Sequence, residues 1–196
     1  MGAGKRAVFL DRDGVINRNI LNPATGDHEA PLTAADFALA PGAREALRRL
    51  QRAGFLLFLV SNQPNYAKQK SSLDELHSID AAFQRELEAM HVKLAASYYC
   101  FHHPNGDVLE YSGECACRKP SPYFLLRASR EFALDPARSW MVGDRQTDIL
   151  CGQFAGVRTI RISPDGERCE NPIPDMRAPD LAAAAEIICG AGVLLG

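Results

Sequence analysis

Apolar residues in this chain gather into short unbroken runs instead of alternating with polar ones. Ala7–Leu10, Phe55–Val60, Ala96–Cys100, Ser139–Val142 and Thr159–Ile162 are each of strand length, and most are continuously apolar. Runs of that kind predict strands covered on both faces. Between them, apolar positions recur at three- and four-residue spacing, which predicts helices over Ala43–Ala53, Leu73–Met90, Tyr123–Phe132, Gln146–Phe154 and, last, Leu181–Cys189. Gly54 and Gly156 stand where two of these helices should stop. Strands alternating with helices predict an α/β fold with a doubly wound parallel sheet. Ser163–Pro179, rich in proline, reads as a loop before the last helix. Phe101 to Pro122 is a long connection for a segment without periodicity, and loops of that length usually carry function. No repeat or shift in composition divides the chain, so one domain over residues 1–196 is expected.

Charge narrows the classes. Lys plus Arg number 22 against 24 Asp plus Glu, a formal net charge of -2, which suggests no nucleic-acid surface. The apolar run near the start is too short for an export signal, and nothing approaches the roughly 20 apolar residues that span a bilayer. A cytoplasmic monomer with no membrane partner is expected. Of six cysteines, Cys100, Cys115 and Cys117 crowd together while Cys151, Cys169 and Cys189 are scattered. Without an export signal, such a crowd points to metal binding over disulfides.

Candidate chemistry lies past the strand ends, where ligands bind in open α/β sheets. "FLDRDGVIN" puts Asp11 and Asp13 after the first strand, "SNQ" (Ser61, Asn62, Gln63) follows the second, and "VGDRQTD" puts Asp144 and Asp148 after the fourth. Two unit charges about 4 Å apart repel by roughly 4 kcal/mol at an effective dielectric near 20, so bare convergence of these carboxylates is unfavourable. A divalent cation resolves it, and an all-oxygen set favours magnesium. A carboxylate beside that ion and a bound phosphate is a plausible nucleophile, with a second carboxyl in reach of the leaving oxygen. Ser61 and Lys119, the latter in "CRKPSP", supply a hydrogen bond and a positive charge for a phosphoryl group. Taken singly, a D-x-D is more often a turn or cap, Ser61 a turn residue and Lys119 a solvated charge. Their ordered occurrence after successive strands is what argues for phosphoryl transfer.

The long connection holds a second set. Cys100 and His102 are separated by one residue, as are Cys115 and Cys117 after twelve intervening residues. In extended backbone residues i and i+2 point the same way, so each pair can offer two ligands to one ion. Three thiolates and an imidazole make a closed tetrahedral set suited to structural zinc; reduced core cysteines are the alternative, and His103 competes with His102.

Together "FLDRDGVIN", "VSNQ", "CRKPSP" and "VGDRQTD" resemble the four ordered motifs of the haloacid dehalogenase-like superfamily over nearly the whole chain. The resemblance implies its Rossmann-like fold, with Asp11 as the nucleophile that forms an aspartyl-phosphate and Asp13 as the general acid that then activates water. It implies Ser61, Asn62, Arg118 and Lys119 at the phosphate or substrate. Magnesium would be held by Asp11, Asp144 and the backbone carbonyl of Asp13, with Asp148 a further candidate. An acid at position 13 favours a phosphatase over a dehalogenase. C-x-H and C-x-C just before R-K-P resemble the zinc loop, here about residues 100–118, of D,D-heptose 1,7-bisphosphate phosphatases and the related histidinol-phosphate phosphatases. That likeness makes His102 the zinc ligand beside Cys100, Cys115 and Cys117. It implies a capless phosphatase acting on the 7-phosphate of a heptose bisphosphate for lipopolysaccharide precursors; on the residues alone Arg118 is either a grip for a second phosphate or sugar hydroxyl or a surface arginine beside the clamp. Histidinol phosphate is the rival substrate, and a non-enzymatic zinc-bearing module the rival class. Where the heptose enzymes commonly carry "SNQSGIARG" this chain has "SNQPNYAKQK", and the preferred anomer stays open.

Overall fold

The computed structural model describes residues 4–23, 26–164 and 171–191; Cys169 and part of the expected loop Ser163–Pro179 lie outside them. Six strands form one parallel sheet: β1 (Ala7–Leu10), β4 (Leu56–Asn62), β5 (Leu94–Cys100), β6 (Trp140–Gly143), β7 (Arg158–Ile162) and β8 (Met176–Ala178). Their order is β5-β4-β1-β6-β7-β8, so the winding reverses between β1 and β6. A short antiparallel pair, β2 (Ile20–Leu21) with β3 (His28–Glu29), stands apart from the sheet. The helices are α1 (Ala43–Arg52), α2 (Leu73–Ala89), α3 (Tyr123–Phe132), α4 (Gln146–Phe154) and α5 (Leu181–Ala191).

Alternate residues of each strand serve opposite faces. Val8, Leu10, Leu57, Leu59, Trp140 and Val142 pack with residues of α1, α2 and α5, while Ala7, Phe9, Phe58, Val60 and Met141 pack with residues of α3 and α4. Every residue of β1 is fully buried, which is why its sequence is unbroken apolar. Ser72 caps α2 by accepting from the Glu75 N–H, and the Glu75 side chain returns the bond.

Two expectations need correction. Met176–Ala178, expected as loop, is the parallel edge strand β8; it is three residues long with two exposed, so it leaves no apolar run to read. Ser61 and Asn62, expected just past the second strand, are the last two residues of β4, paired with Tyr99 and Cys100. Among the described residues no helix is long and apolar enough to cross a membrane, and the largest element beyond the sheet and its helices is the small hairpin β2–β3.

Candidate active site

Asp11 leaves the end of β1 and Asp144 the end of β6, the two strands that flank the reversal of winding. The carboxyl ends of such strands diverge and open a crevice. Asp148, on the first turn of α4, folds back so that its Oδ2 accepts from the Arg145 N–H at 3.0 Å. Oxygens of Asp11, Asp144 and Asp148 then lie within 4.8 Å of one another. Two glycines permit this closeness. A Cβ on Gly14, whose φ is +80°, would stand 2.3 Å from Asp144 Oδ2, and one on Gly143 would stand 2.1 Å from Asp148 Cβ.

Lys119 is the counter-charge. Its Nζ is 2.9 Å from Asp11 Oδ1 and 2.7 Å from Asp148 Oδ1, and it donates to the carbonyl of Val60 at 2.7 Å. Two ion pairs and one hydrogen bond thus surround the ammonium group. Burial pulls its pKa down, but Asp11 and Asp148 outweigh that and hold it above the ordinary lysine value. Burial pushes the Asp11 carboxyl up to about 7, with Asp148 and Asp144 adding to the rise and Lys119 opposing it. Burial and Asp148 raise Asp144 to about 6. Three carboxylates against one ammonium leave an excess of two negative charges when all are ionised. A doubly charged cation is the complement, and Asp144 Oδ1 is a buried oxygen without a hydrogen-bond partner.

Asp13 is held differently. Its carboxylate is not part of that cluster; it accepts from Arg12, Gln63 and Asn17. Ser61 is buried beside it, 2.8 Å from Gln63 Nε2. The Asn62 side chain is engaged with the Lys119 backbone, donating to its carbonyl and accepting from its N–H, each at 3.1 Å. Arg118 donates to the His102 carbonyl at 2.9 Å, which ties it to the cysteine loop. Asp11, Asp13, Asn62, Arg118, Lys119 and Asp148 all line one cavity of about 800 Å³. Its wall also carries Lys68, Arg145 and Arg161; the two arginines had no assigned role in the sequence, because isolated basic residues carry no motif. Arg12 was missed too, although it is the largest fully buried side chain. A charged residue between two aspartates reads as solvated until its partners are seen.

Donor atoms of Cys100, His102, Cys115 and Cys117 also lie within 4.8 Å of one another. Cys115 Sγ is 3.5 Å from Cys100 Sγ and 3.6 Å from Cys117 Sγ. A tetrahedral zinc with bonds of about 2.3 Å spaces its sulfurs roughly 3.8 Å apart, so the set needs little movement to close on an ion. His102 Nδ1 is buried without a hydrogen-bond partner, as a ligand nitrogen would be. His103, the competing imidazole, instead accepts from the Asn105 N–H at 3.1 Å and is outside the cluster.

Comparison with known proteins places this geometry. Residues 116–184 match the family described as "HAD-hyrolase-like". D-glycero-beta-D-manno-heptose-1,7-bisphosphate 7-phosphatase of Haemophilus ducreyi is 38% identical over 157 residues, 80% of this chain and 81% of that protein. D-glycero-D-manno-heptose-1,7-bisphosphate 7-phosphatase of Thermosynechococcus vestitus is 37% identical over 194 residues, 93% of this chain and 95% of that one. The chain belongs to the heptose-1,7-bisphosphate 7-phosphatase family. The crystal structure of D,D-heptose 1,7-bisphosphate phosphatase from B. bronchiseptica, complexed with magnesium and phosphate, aligns with a TM-score of 0.76 at 27% identity, covering 95% of this chain and 99% of that one. Membership bears out the family resemblance, and the architecture has the expected parallel α/β fold without a large cap.

Proposed function

We propose that this chain is a magnesium-dependent phosphatase that removes the 7-phosphate of D-glycero-D-manno-heptose 1,7-bisphosphate and leaves the 1-phosphate. The observation that carries the reading is the meeting of Asp11, Asp144 and Asp148, with Lys119 paired to Asp11 and Asp148, where Asp11, Lys119 and Asp148 line a cavity large enough for a sugar bisphosphate. Names of the relatives supply the substrate class. Asp11, Asp144 and the Asp13 backbone carbonyl would hold magnesium, with Asp148 near enough to join. When bound, that ion neutralises the phosphoryl oxygens and the excess negative charge.

In the first step a carboxylate oxygen of Asp11 attacks phosphorus, the bond from phosphorus to the sugar O7 breaks, and Asp13 gives its proton to that oxygen. Ser61 and Lys119 hold the phosphoryl oxygens. In the second step Asp13 takes a proton from water, the water oxygen attacks phosphorus, and the bond to Asp11 breaks, releasing phosphate and restoring both side chains. Arg118 and neighbouring Lys68 stand on the wall where a second phosphate would be gripped. Cys100, His102, Cys115 and Cys117 would hold a structural zinc that keeps Arg118 and Lys119 in place. The same reading is of a single-domain, cytoplasmic, monomeric enzyme.

A panel of both heptose bisphosphate anomers and histidinol phosphate, with magnesium, tests it. Phosphate release fastest from a heptose bisphosphate is expected, and Asp11→Asn should abolish it while the fold persists. No release from any member would overturn the reading. A magnesium-dependent beryllium fluoride adduct at Asp11 separates the enzyme from a zinc-bearing binding module.

A further inference from the structure

We propose that Gln63 is a positioning residue that sets, through one amide group, both the aim of the Asp13 carboxyl and the direction in which the Ser61 hydroxyl donates. The inference rests on the phosphatase reading above, in which Asp13 is the acid and Ser61 touches the phosphoryl group.

Gln63 Nε2 donates to Asp13 Oδ2 at 2.6 Å and to Ser61 Oγ at 2.8 Å, while its Oε1 accepts from Arg12 Nη2 at 2.8 Å. These three partners decide the amide's orientation: turned over, its oxygen would face the carboxylate and its nitrogen the guanidinium. Gln63, Ser61 and Arg12 are each 1% exposed, so water does not compete for the bonds. Asp13 Oδ1 accepts from Asn17 Nδ2 at 3.0 Å and Arg12 Nε at 3.2 Å, and Oδ2 accepts from Arg12 Nη2 at 3.3 Å besides Gln63. Four donors therefore fill the lone-pair sites of one carboxylate, which cannot swing without breaking several bonds. To carry a proton Asp13 must surrender one of them, and the long bonds to Arg12 are the weakest. The shortest, from Gln63, remains to fix the angle. Ser61 Oγ, 1% exposed and off the cavity wall, accepts from Gln63 and so keeps its own O–H hydrogen for a phosphoryl oxygen. Gln63 itself is absent from the cavity wall, so its effect passes through its two neighbours.

The test uses leaving-group dependence. For a phosphatase with a covalent intermediate, kcat/KM reports only the steps through departure of the alcohol. A sugar oxygen leaves poorly and needs the acid; p-nitrophenolate leaves well and hardly does. With the magnesium- and zinc-loaded enzyme, Gln63→Leu should lower kcat/KM on heptose 1,7-bisphosphate by about 100-fold, and on p-nitrophenyl phosphate by about tenfold or less through Ser61 alone. The ratio of the two should thus fall by at least about tenfold. A merely structural role would lower both alike and leave the ratio where it was, which would overturn the proposal. Gln63→Met keeps the length and offers no donor to either neighbour; it should reproduce the fall in ratio, and it serves if the leucine variant does not fold. Asp13→Asn calibrates the ratio. Should that variant leave the ratio unchanged, the assignment of Asp13 as acid fails; should it shift the ratio while both Gln63 variants do not, the positioning role alone fails.

Discussion

Among the described residues metal-type ligands gather twice, and the two clusters are built on opposite principles. Asp11, Asp144 and Asp148 come from strand ends and a helix start, supported by the buried strands β1 and β6, and they carry an internal cation, Lys119. Cys100 closes a strand, but His102, Cys115 and Cys117 sit in a connection whose regular structure is one 3-10 turn, Leu109–Tyr111. Burial pushes the Cys100 thiol above its ordinary range, and the neighbouring thiols add to that. Backbone pairing holds the oxygen cluster together with or without an ion. The sulfur cluster sits in a loop held by scattered bonds, His103 N–H to the Tyr111 carbonyl and Arg118 to the His102 carbonyl among them, so an ion there would do structural work. The two are joined, since Arg118 and Lys119 directly follow Cys117 and Arg118 bonds back to His102.

Removing the internal cation should have the largest effect. Lys119→Met would strand Asp11 and Asp148 as buried carboxylates, and loss of one partner of a buried pair costs about 3–5 kcal/mol. Thermal melting at neutral pH without magnesium should show a large drop in midpoint, and turnover should fall at least about 1000-fold. Magnesium should restore much of the stability and little of the turnover. A variant that melts like the parent would mean that the sheet tolerates the three carboxylates unaided.

Stripping zinc comes next. Chelation should lower phosphate release by about 10- to 100-fold, the range seen when groups supporting a site are displaced. Hydrogen exchange should rise across residues 101–118 while β1 and β4 keep their protection. Equal loss in the strands would break the distinction between a scaffolded and a self-supporting cluster.

The scaffolded cluster was also the more legible in sequence, for the same physical reason. Strands buried on both faces must be continuously apolar, so β1, β4 and β6 announce themselves and so do the acids at their ends. β8, at the sheet edge with two of its three residues exposed, had no such constraint. The cysteine and histidine spacing marked the ligands but left His102 and His103 unresolved, because loop geometry decides which imidazole turns inward. Arg12 could not be read at all, and Gln63 only as part of the "SNQ" motif, without a role. Their roles come from partners 51 and 50 residues away, Gln63 Oε1 and Asp13 Oδ2, which only the parallel pairing of β1 with β4 brings near.

A smaller effect, on stability alone, should follow from pH. Asp11 rises from 3.8 to about 7 in the metal-free fold, because burial favours its neutral form. The stability this contributes is fully present below the unfolded value and is lost as pH climbs through about 7. Magnesium needs the ionised carboxylates, so its stabilisation runs the other way. Adding the ion should raise the melting midpoint by several degrees at pH 8 and hardly at all at pH 5. An equal shift at both would place the bound ion elsewhere.

Asn62→Ala should give the smallest change, and it probes the link between the clusters. The Asn62 amide spans from the end of β4 to the backbone of Lys119, so it anchors the last residues of the cysteine loop to the sheet. Two neutral hydrogen bonds contribute about 1–2 kcal/mol together. Lys119 Nζ keeps its bonds to Asp11, Asp148 and the Val60 carbonyl in the variant, so the clamp should survive with a looser backbone. Turnover should fall by tenfold or less, at about one unit of 1.4 kcal/mol per tenfold. Zinc content should stay unchanged, because the Asn62 side chain bonds the Lys119 backbone and its strand pairing with Cys100 does not depend on the amide. If zinc affinity falls together with turnover, the sulfur cluster leans on the sheet through this amide and is less self-supporting than its loop suggests.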